Sequence, residues 1–130
     1  MSGGRLRISS GGPWEAVVGY SRAIVADDHC WVSGTTDAGP DGKSRHPGDV
    51  AGQTRAIFEV VGRALDDAGF TFRDVVRTRM FVTDISRADE LNAVHRELFG
   101  EIRPASSLVE VSALIDPSLL VEIEVEARRG

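Results

Sequence analysis

The last strand-like segment of the chain alternates strictly between apolar and polar residues. One set of alternate positions over residues 119–127 is apolar throughout: Leu119, Val121, Ile123, Val125 and Ala127. The other set holds Leu120 and three carboxylates, Glu122, Glu124 and Glu126. A period of two is typical of a β-strand with one face in a core. A row of carboxylates repels itself unless it contacts water or cations, so the function depends on what covers this face.

The segment over residues 75–83 offers cations for that face. Its pattern predicts a core face of Val76, Thr78, Met80 and Val82, and an opposite face of Arg77, Arg79 and Phe81. The guanidinium groups could pair with Glu110, Glu122 or Glu124 on neighbouring strands. Two interpretations remain open: the charged face is in water, as is ordinary for a sheet with helices on one side, or another subunit covers it.

Periodicity and turn residues predict the order β-β-β-α-β-α-β-β. Strands are expected over 5–9, 20–26, 30–35, 75–83, 103–111 and 119–127, and helices over 49–68 and from Asp84 or Ser86 to about residue 99. In the first helix Gln53 is expected to face outward, and Gly69 to cap the end. In the second, Ser86 and Asp89 resemble a capping box. Two helices can cover only one sheet face, which predicts an α+β fold.

Length, charge and residue composition argue against several classes of function. A chain of 130 residues is expected to form a single domain, 1–130, with residues 1–4 loose. The net charge of −5 and a single lysine, Lys43, argue against broad nucleic-acid binding. We expect no membrane span, and a cytoplasmic location because no signal-peptide pattern is seen. Cys30 is expected to be buried. The three histidines lack metal-ligand spacing, so no metal or cofactor is predicted.

Several short motifs, in this order and spacing, resemble the RidA/YjgF family of reactive-intermediate imine deaminases. They are Val32-Ser33-Gly34, Asp74–Thr78 leading to Phe81–Asp84, Leu91–Val94, Pro104-Ala105, Val109–Val111 and Val121–Glu124. The resemblance covers the chain from about residue 5. It implies a chorismate-mutase-like fold, with a mixed sheet of about six strands and two helices on one face. It also implies a homotrimer with a cleft for a small polar metabolite, such as a keto or imino acid, at each subunit interface.

The resemblance also implies roles for single residues. Family members that hydrolyse 2-imino or 2-aminoacrylate-type acids hold the attacking water on a glutamate, which matches Glu122. The remaining positions that match family ligand-binding residues are Tyr20, Ser33, Gly34, Asn92, Ser106 and Leu108, and Ser107 is a further candidate donor. In such enzymes an arginine that binds the substrate carboxylate directly follows the Pro-Ala pair, whereas this chain has Ser106.

That departure leaves the activity open. Without the two charge-assisted hydrogen bonds of an arginine, 2-iminobutanoate or 2-iminopropanoate deaminase activity is expected to fall by at least tens-fold, because each loss of about 1.4 kcal/mol lowers a rate tenfold. Arg79 either replaces the missing arginine or neutralises the glutamate row. The first hypothesis is a trimeric hydrolase of imines or enamines. The alternative is a non-catalytic metabolite-binding or chaperone-like trimer. An endoribonuclease or translation inhibitor is the third, and the net charge argues against it.

Overall fold

The computed structural model describes residues 4–130. Within them the elements follow the order β1 (Leu6–Ile8), β2 (Ala23–Ala26), β3 (His29–Thr35), α1 (Val50–Ala68), β4 (Val75–Val82), α2 (Ala88–Phe99), β5 (Ala105–Glu110) and β6 (Val121–Arg128). This is the predicted βββαβαββ order. The expectation of a loose N-terminus concerns residues 1–3, which lie outside the described part, and Gly4, which is exposed and in no strand. No helix within residues 4–130 is both long and apolar enough to cross a membrane.

All six strands form one mixed sheet in the order β1-β2-β3-β6-β4-β5. Only β4 and β5 run parallel, and the other neighbours are antiparallel. Both helices pack on the face that carries the apolar set of β6. The fold is therefore α+β with two helices on one face, as the pattern predicts.

The core lies between that face and the two helices. All five apolar positions of the β6 pattern are buried: Leu119, Val121, Ile123, Val125 and Ala127. The helices contribute fully buried side chains from facing stripes, notably Ile57, Val61 and Leu65 of α1 and Leu91 of α2. Since burial along β6 follows the alternation of the sequence, the glutamates of β6 lie on the opposite, uncovered face.

One residue of β4 departs from the predicted faces. Val75 pairs with Ala127 and Arg77 with Glu126, so Val76 is an extra residue in a β-bulge. Val75 is 3% exposed and Val76 is 45% exposed. The prediction that Val76 faces the core was wrong, because the bulge shifts the alternation by one residue before Arg77. From Thr78 onward the predicted faces are correct.

Gln53 was expected to face outward and is instead fully buried. Its Nε2 donates to the carbonyl oxygens of His46 at 3.1 Å and Ser118 at 3.0 Å, and its Oε1 accepts from the Leu120 amide at 2.8 Å. Three hydrogen bonds compensate for the burial of the amide. Through them α1 fixes the backbone just before β6, two residues ahead of Glu122.

The helix ends agree with the sequence in part. Asp49 Oδ1 accepts from the Gly52 amide at 2.8 Å, and Gly69 ends α1 with a φ of 83°, the left-handed conformation predicted for it. The predicted capping box of α2 was wrong. The Ser86 hydroxyl donates to Asp84 Oδ1 at 2.6 Å instead, in a 3₁₀ turn that precedes the helix start at Ala88.

Candidate functional site

The carboxylate of Glu122 occupies space that exists because residue 34 has no side chain. Pairing between β3 and β6 is interrupted between Val32 and Thr35, next to this point. A Cβ on Gly34 would overlap Glu122 Oε2 and approach Glu122 Cδ to 3.0 Å. The strand glycine and the glutamate, both expected in the site, therefore lie in contact within one chain.

Arg22 organises the backbone around Gly34. It is 7% exposed, and its Nη1 donates to the Gly34 carbonyl at 2.8 Å and to Thr35 Oγ1 at 3.0 Å. Its Nη2 donates to the Tyr20 hydroxyl at 3.2 Å. Sequence reasoning missed Arg22. The available signal was a charged residue immediately before the apolar run of β2, but its burial depends on partners 12 and 13 positions away.

The carboxylate of Glu15 is a buried partner of Arg22. Glu15 Oε2 lies 3.8 Å from Arg22 Nε, and both side chains are buried. The same oxygen accepts from the Ser10 hydroxyl at 2.6 Å and from the Ser10 amide at 3.1 Å. A buried arginine needs such a partner, because a lone charge in a low-dielectric interior is strongly destabilising.

The environment makes the Glu122 carboxyl hold its proton more readily than usual. Burial raises its pKa, the negative charge of Glu124 raises it further, and the positive charge of Arg22 partly offsets both. A carboxyl whose pKa moves toward neutrality can accept a proton from a bound water and return it later. The direction of this shift is the one that a general acid–base needs near neutral pH.

An open groove of about 1000 Å³ contains this cluster. Its lining includes Tyr20, Arg22, Ser33, Gly34 and Glu122. The Ser33 hydroxyl donates to the Ser21 carbonyl at 2.6 Å, which fixes its orientation beside Gly34. Four of the residues predicted from the sequence thus line one groove of one chain. Among residues 4–130 no three His, Cys, Asp or Glu side chains come together as a metal site.

The remaining candidates lie elsewhere on the chain. Ser106 is exposed at the start of β5, where Thr78 Oγ1 donates to its Oγ at 2.8 Å. Leu108 packs against the core on the same side of the strand. Asn92 is exposed on α2. These three belong to the helix side of the sheet, whereas Glu122 is on the opposite face, so a single chain does not bring the two groups together.

The arginines of β4 are engaged on the uncovered face. Arg79 Nη1 donates to Glu124 Oε1 at 3.1 Å, and Arg77 Nη2 donates to Ser107 Oγ at 3.0 Å. Within one chain Arg79 thus neutralises a member of the glutamate row, which is one of the two roles that the sequence left open. Because Arg79 and Glu124 are 44% and 40% exposed, this pair contributes little to stability.

Comparison with known proteins places this geometry in a family. The family model described as endoribonuclease L-PSP matches residues 13–129. The chain belongs to the YjgF/RidA family. The crystal structure of Rv2704 from Mycobacterium tuberculosis, a YjgF/YER057c/UK114 family member, has 48% identity and a TM-score of 0.88, covering 97% of this chain and all of that one. The resemblance and the fold class predicted from the sequence are therefore confirmed.

Two curated relatives extend the comparison. The protein SCO2049 of Streptomyces coelicolor is 37% identical over 124 residues, covering 95% of this chain and 92% of its own length. The 3-aminoacrylate deaminase RutC of Acinetobacter baylyi is 36% identical over 104 residues, covering 80% of this chain and 82% of its own. Deaminases therefore occur among the relatives of this protein.

Proposed function

We propose that three copies of this chain assemble so that a small polar metabolite binds at each subunit interface. In this arrangement the Glu122 groove of one subunit faces the Ser106 end of β5 on the next. The proposal is supported by the uncovered sheet face with its half-exposed charges, and by the separation of the candidate residues into two groups on one chain. Assembly would remove that face from water and bring the groups together.

The proposed reaction is hydrolysis of an imine or enamine. Glu122 accepts a proton from a bound water as the water oxygen attacks the carbon of the C=N bond. Glu122 returns this proton to the nitrogen, which gives a carbinolamine. The remaining hydroxyl proton then passes to the nitrogen, and the C–N bond breaks as ammonia leaves and a carbonyl forms; an enamine reacts through its imine tautomer. The half-buried carboxyl of Glu122, with its raised pKa, is the observation that carries this proposal. The relation to RutC, named for an enamine substrate, also supports it.

The test follows imine loss in the presence of an amino-acid oxidase and its substrate. We expect the wild-type chain to exceed the buffer rate, and Glu122→Gln to lose about 10²-fold or more, the usual contribution of a general base. Glu126→Gln is the matched control, because Glu126 is on the same strand and face but outside the groove. A wild-type rate equal to buffer, at concentrations where an arginine-containing relative works, would reject the deaminase. Sedimentation should give three times the 14.0 kDa of one chain.

A second candidate is metabolite binding without turnover. It is favoured by Ser106, which stands where the family's carboxylate-binding arginine is expected. In this case a ligand would raise the melting temperature and be recovered unchanged, whereas finding product would count against it. The description of the family model as an endoribonuclease suggests RNA as a third ligand. The net charge of −5 argues against it, and a salt-dependent RNA gel shift would revive it.

A further inference from the structure

Three side chains from three elements form a hydrogen-bonded chain that ends at the surface of β5. Thr78 of β4 is fully buried, and its Oγ1 lies 2.9 Å from Nε2 of His95 on α2. The same hydroxyl donates to Ser106 Oγ at 2.8 Å. Since Thr78 gives its hydrogen to Ser106, its oxygen accepts from the Nε2–H tautomer of His95. The exposed Ser106 hydroxyl then keeps its own hydrogen for a ligand.

Three arginines near Ser106 in the sequence or in the sheet have hydrogen-bond partners other than Ser106. The arginines of β4, Arg77 and Arg79, are on the opposite face and bind Ser107 and Glu124. Arg103, three residues before Ser106, donates through Nε to the Gly100 carbonyl at 3.2 Å. Burial lowers the pKa of His95, so its ring is neutral at pH 7. The ligand therefore meets a neutral hydroxyl that two further groups orient.

We propose that Ser106, supported by Thr78 and His95, selects a ligand whose end at this position is an uncharged acceptor, such as a primary amide or carbamoyl oxygen, over a carboxylate. The inference rests on the function proposed above, which brings Ser106 to the ligand. A carboxylate loses more hydration than a carbonyl when it enters a protein site. The guanidinium group of an arginine compensates for that loss with its charge and two hydrogen bonds, whereas a single hydroxyl does not.

The test compares pyruvate with its amide, 2-oxopropanamide, by calorimetry on the full chain at pH 7. We expect the wild type to bind the amide at least tenfold more tightly. Ser106→Arg should reverse the preference. Thr78→Val removes the hydroxyl but keeps the shape, and should weaken amide binding several-fold, while Thr78→Ser restores it. Thr54→Val is the matched control, because Thr54 is also fully buried but bonds only to the Val50 carbonyl of its own helix.

Each outcome decides between the two proposals. A wild-type preference for pyruvate overturns this inference and leaves the interface site intact. If Thr78→Val binds the amide as tightly as Thr54→Val does, the hydrogen-bonded chain has no role in binding. Failure of the wild type to bind either probe overturns the interface site, and this inference with it. Melting temperatures identify variants that are folded, and Thr78→Ser covers the case in which valine is not tolerated.

Discussion

Substituting Gly34 by alanine tests the site with a single methyl group. The added Cβ would overlap Glu122 Oε2 and lie 3.0 Å from Cδ, whereas ordinary contacts begin at 3.4 Å. The carboxylate has to turn away by about 1 Å, and a misplacement of that size costs about 10²-fold in rate. We therefore expect kcat/KM to fall about 100-fold, or about 2.7 kcal/mol of transition-state stabilisation.

The fold should tolerate this change. Gly34 does not have a positive φ, so alanine adds no backbone strain, and the overlapping group is the end of a flexible side chain. Gly39→Ala is the control, because a Cβ at Gly39 of the same groove meets its nearest atom, Arg45 Cγ, at an ordinary 3.5 Å. Imine loss and the ligand-induced rise in melting temperature are both measured. A folded Gly34→Ala variant with the activity and ligand response of Gly39→Ala would refute the placement of the catalytic carboxylate.

Three further predictions concern stability and reactivity. Because the folded-state pKa of Glu122 is raised, its ionised carboxylate destabilises the fold above that pKa. Glu122→Gln should therefore have a higher melting temperature than the wild type at pH 7–8, and this difference should vanish below about pH 4. A difference that grows at low pH would contradict this. Gln53→Ala should lose about 2–4 kcal/mol in urea unfolding, because the backbone groups it binds remain buried and unpaired; a loss under about 1 kcal/mol contradicts that estimate. Cys30, fully buried with its pKa raised to about 11 by burial, should resist a thiol reagent at pH 8 until denaturant is added; equal rates in native and unfolded protein would refute this.

Local patterns predicted much of this fold, and long-range contacts account for what they missed. The faces of β6, the start of α1 near Asp49 and the cap at Gly69 follow from neighbours within a few positions. The bulge at Val76 could not be seen, because an extra residue in a strand is defined only against its partner strand. Gln53 looked like a surface residue because its partners at Ser118 and Leu120 are 65 and 67 positions away.

The residues of the candidate site were likewise predicted from the sequence only in part. Glu122, Gly34, Ser33 and Tyr20 were accessible through a family resemblance, whose motifs keep their order along the sequence. Arg22 was missed, since an arginine next to an apolar run looks like the exposed end of a strand. The sequence pattern also gave no sign of the contact that the His95 ring makes with Thr78 across the gap between α2 and the sheet. Hydrogen-bonded chains between elements leave no periodic trace in the sequence.

The position of β6 in the sheet has a consequence for biosynthesis. This strand is the last described element to leave the ribosome, yet it lies between β3 and β4, so it alone joins β1–β3 to the β4–β5 pair. Until it emerges, β3 and β4 lack their shared neighbour in the sheet, and their free edges can pair with other polypeptides. Completion of the core waits for contacts between distant segments, which slows folding. The nascent chain should therefore depend on chaperones until β6 has emerged, and ribosome-bound fragments that end before Val121 should remain sensitive to protease.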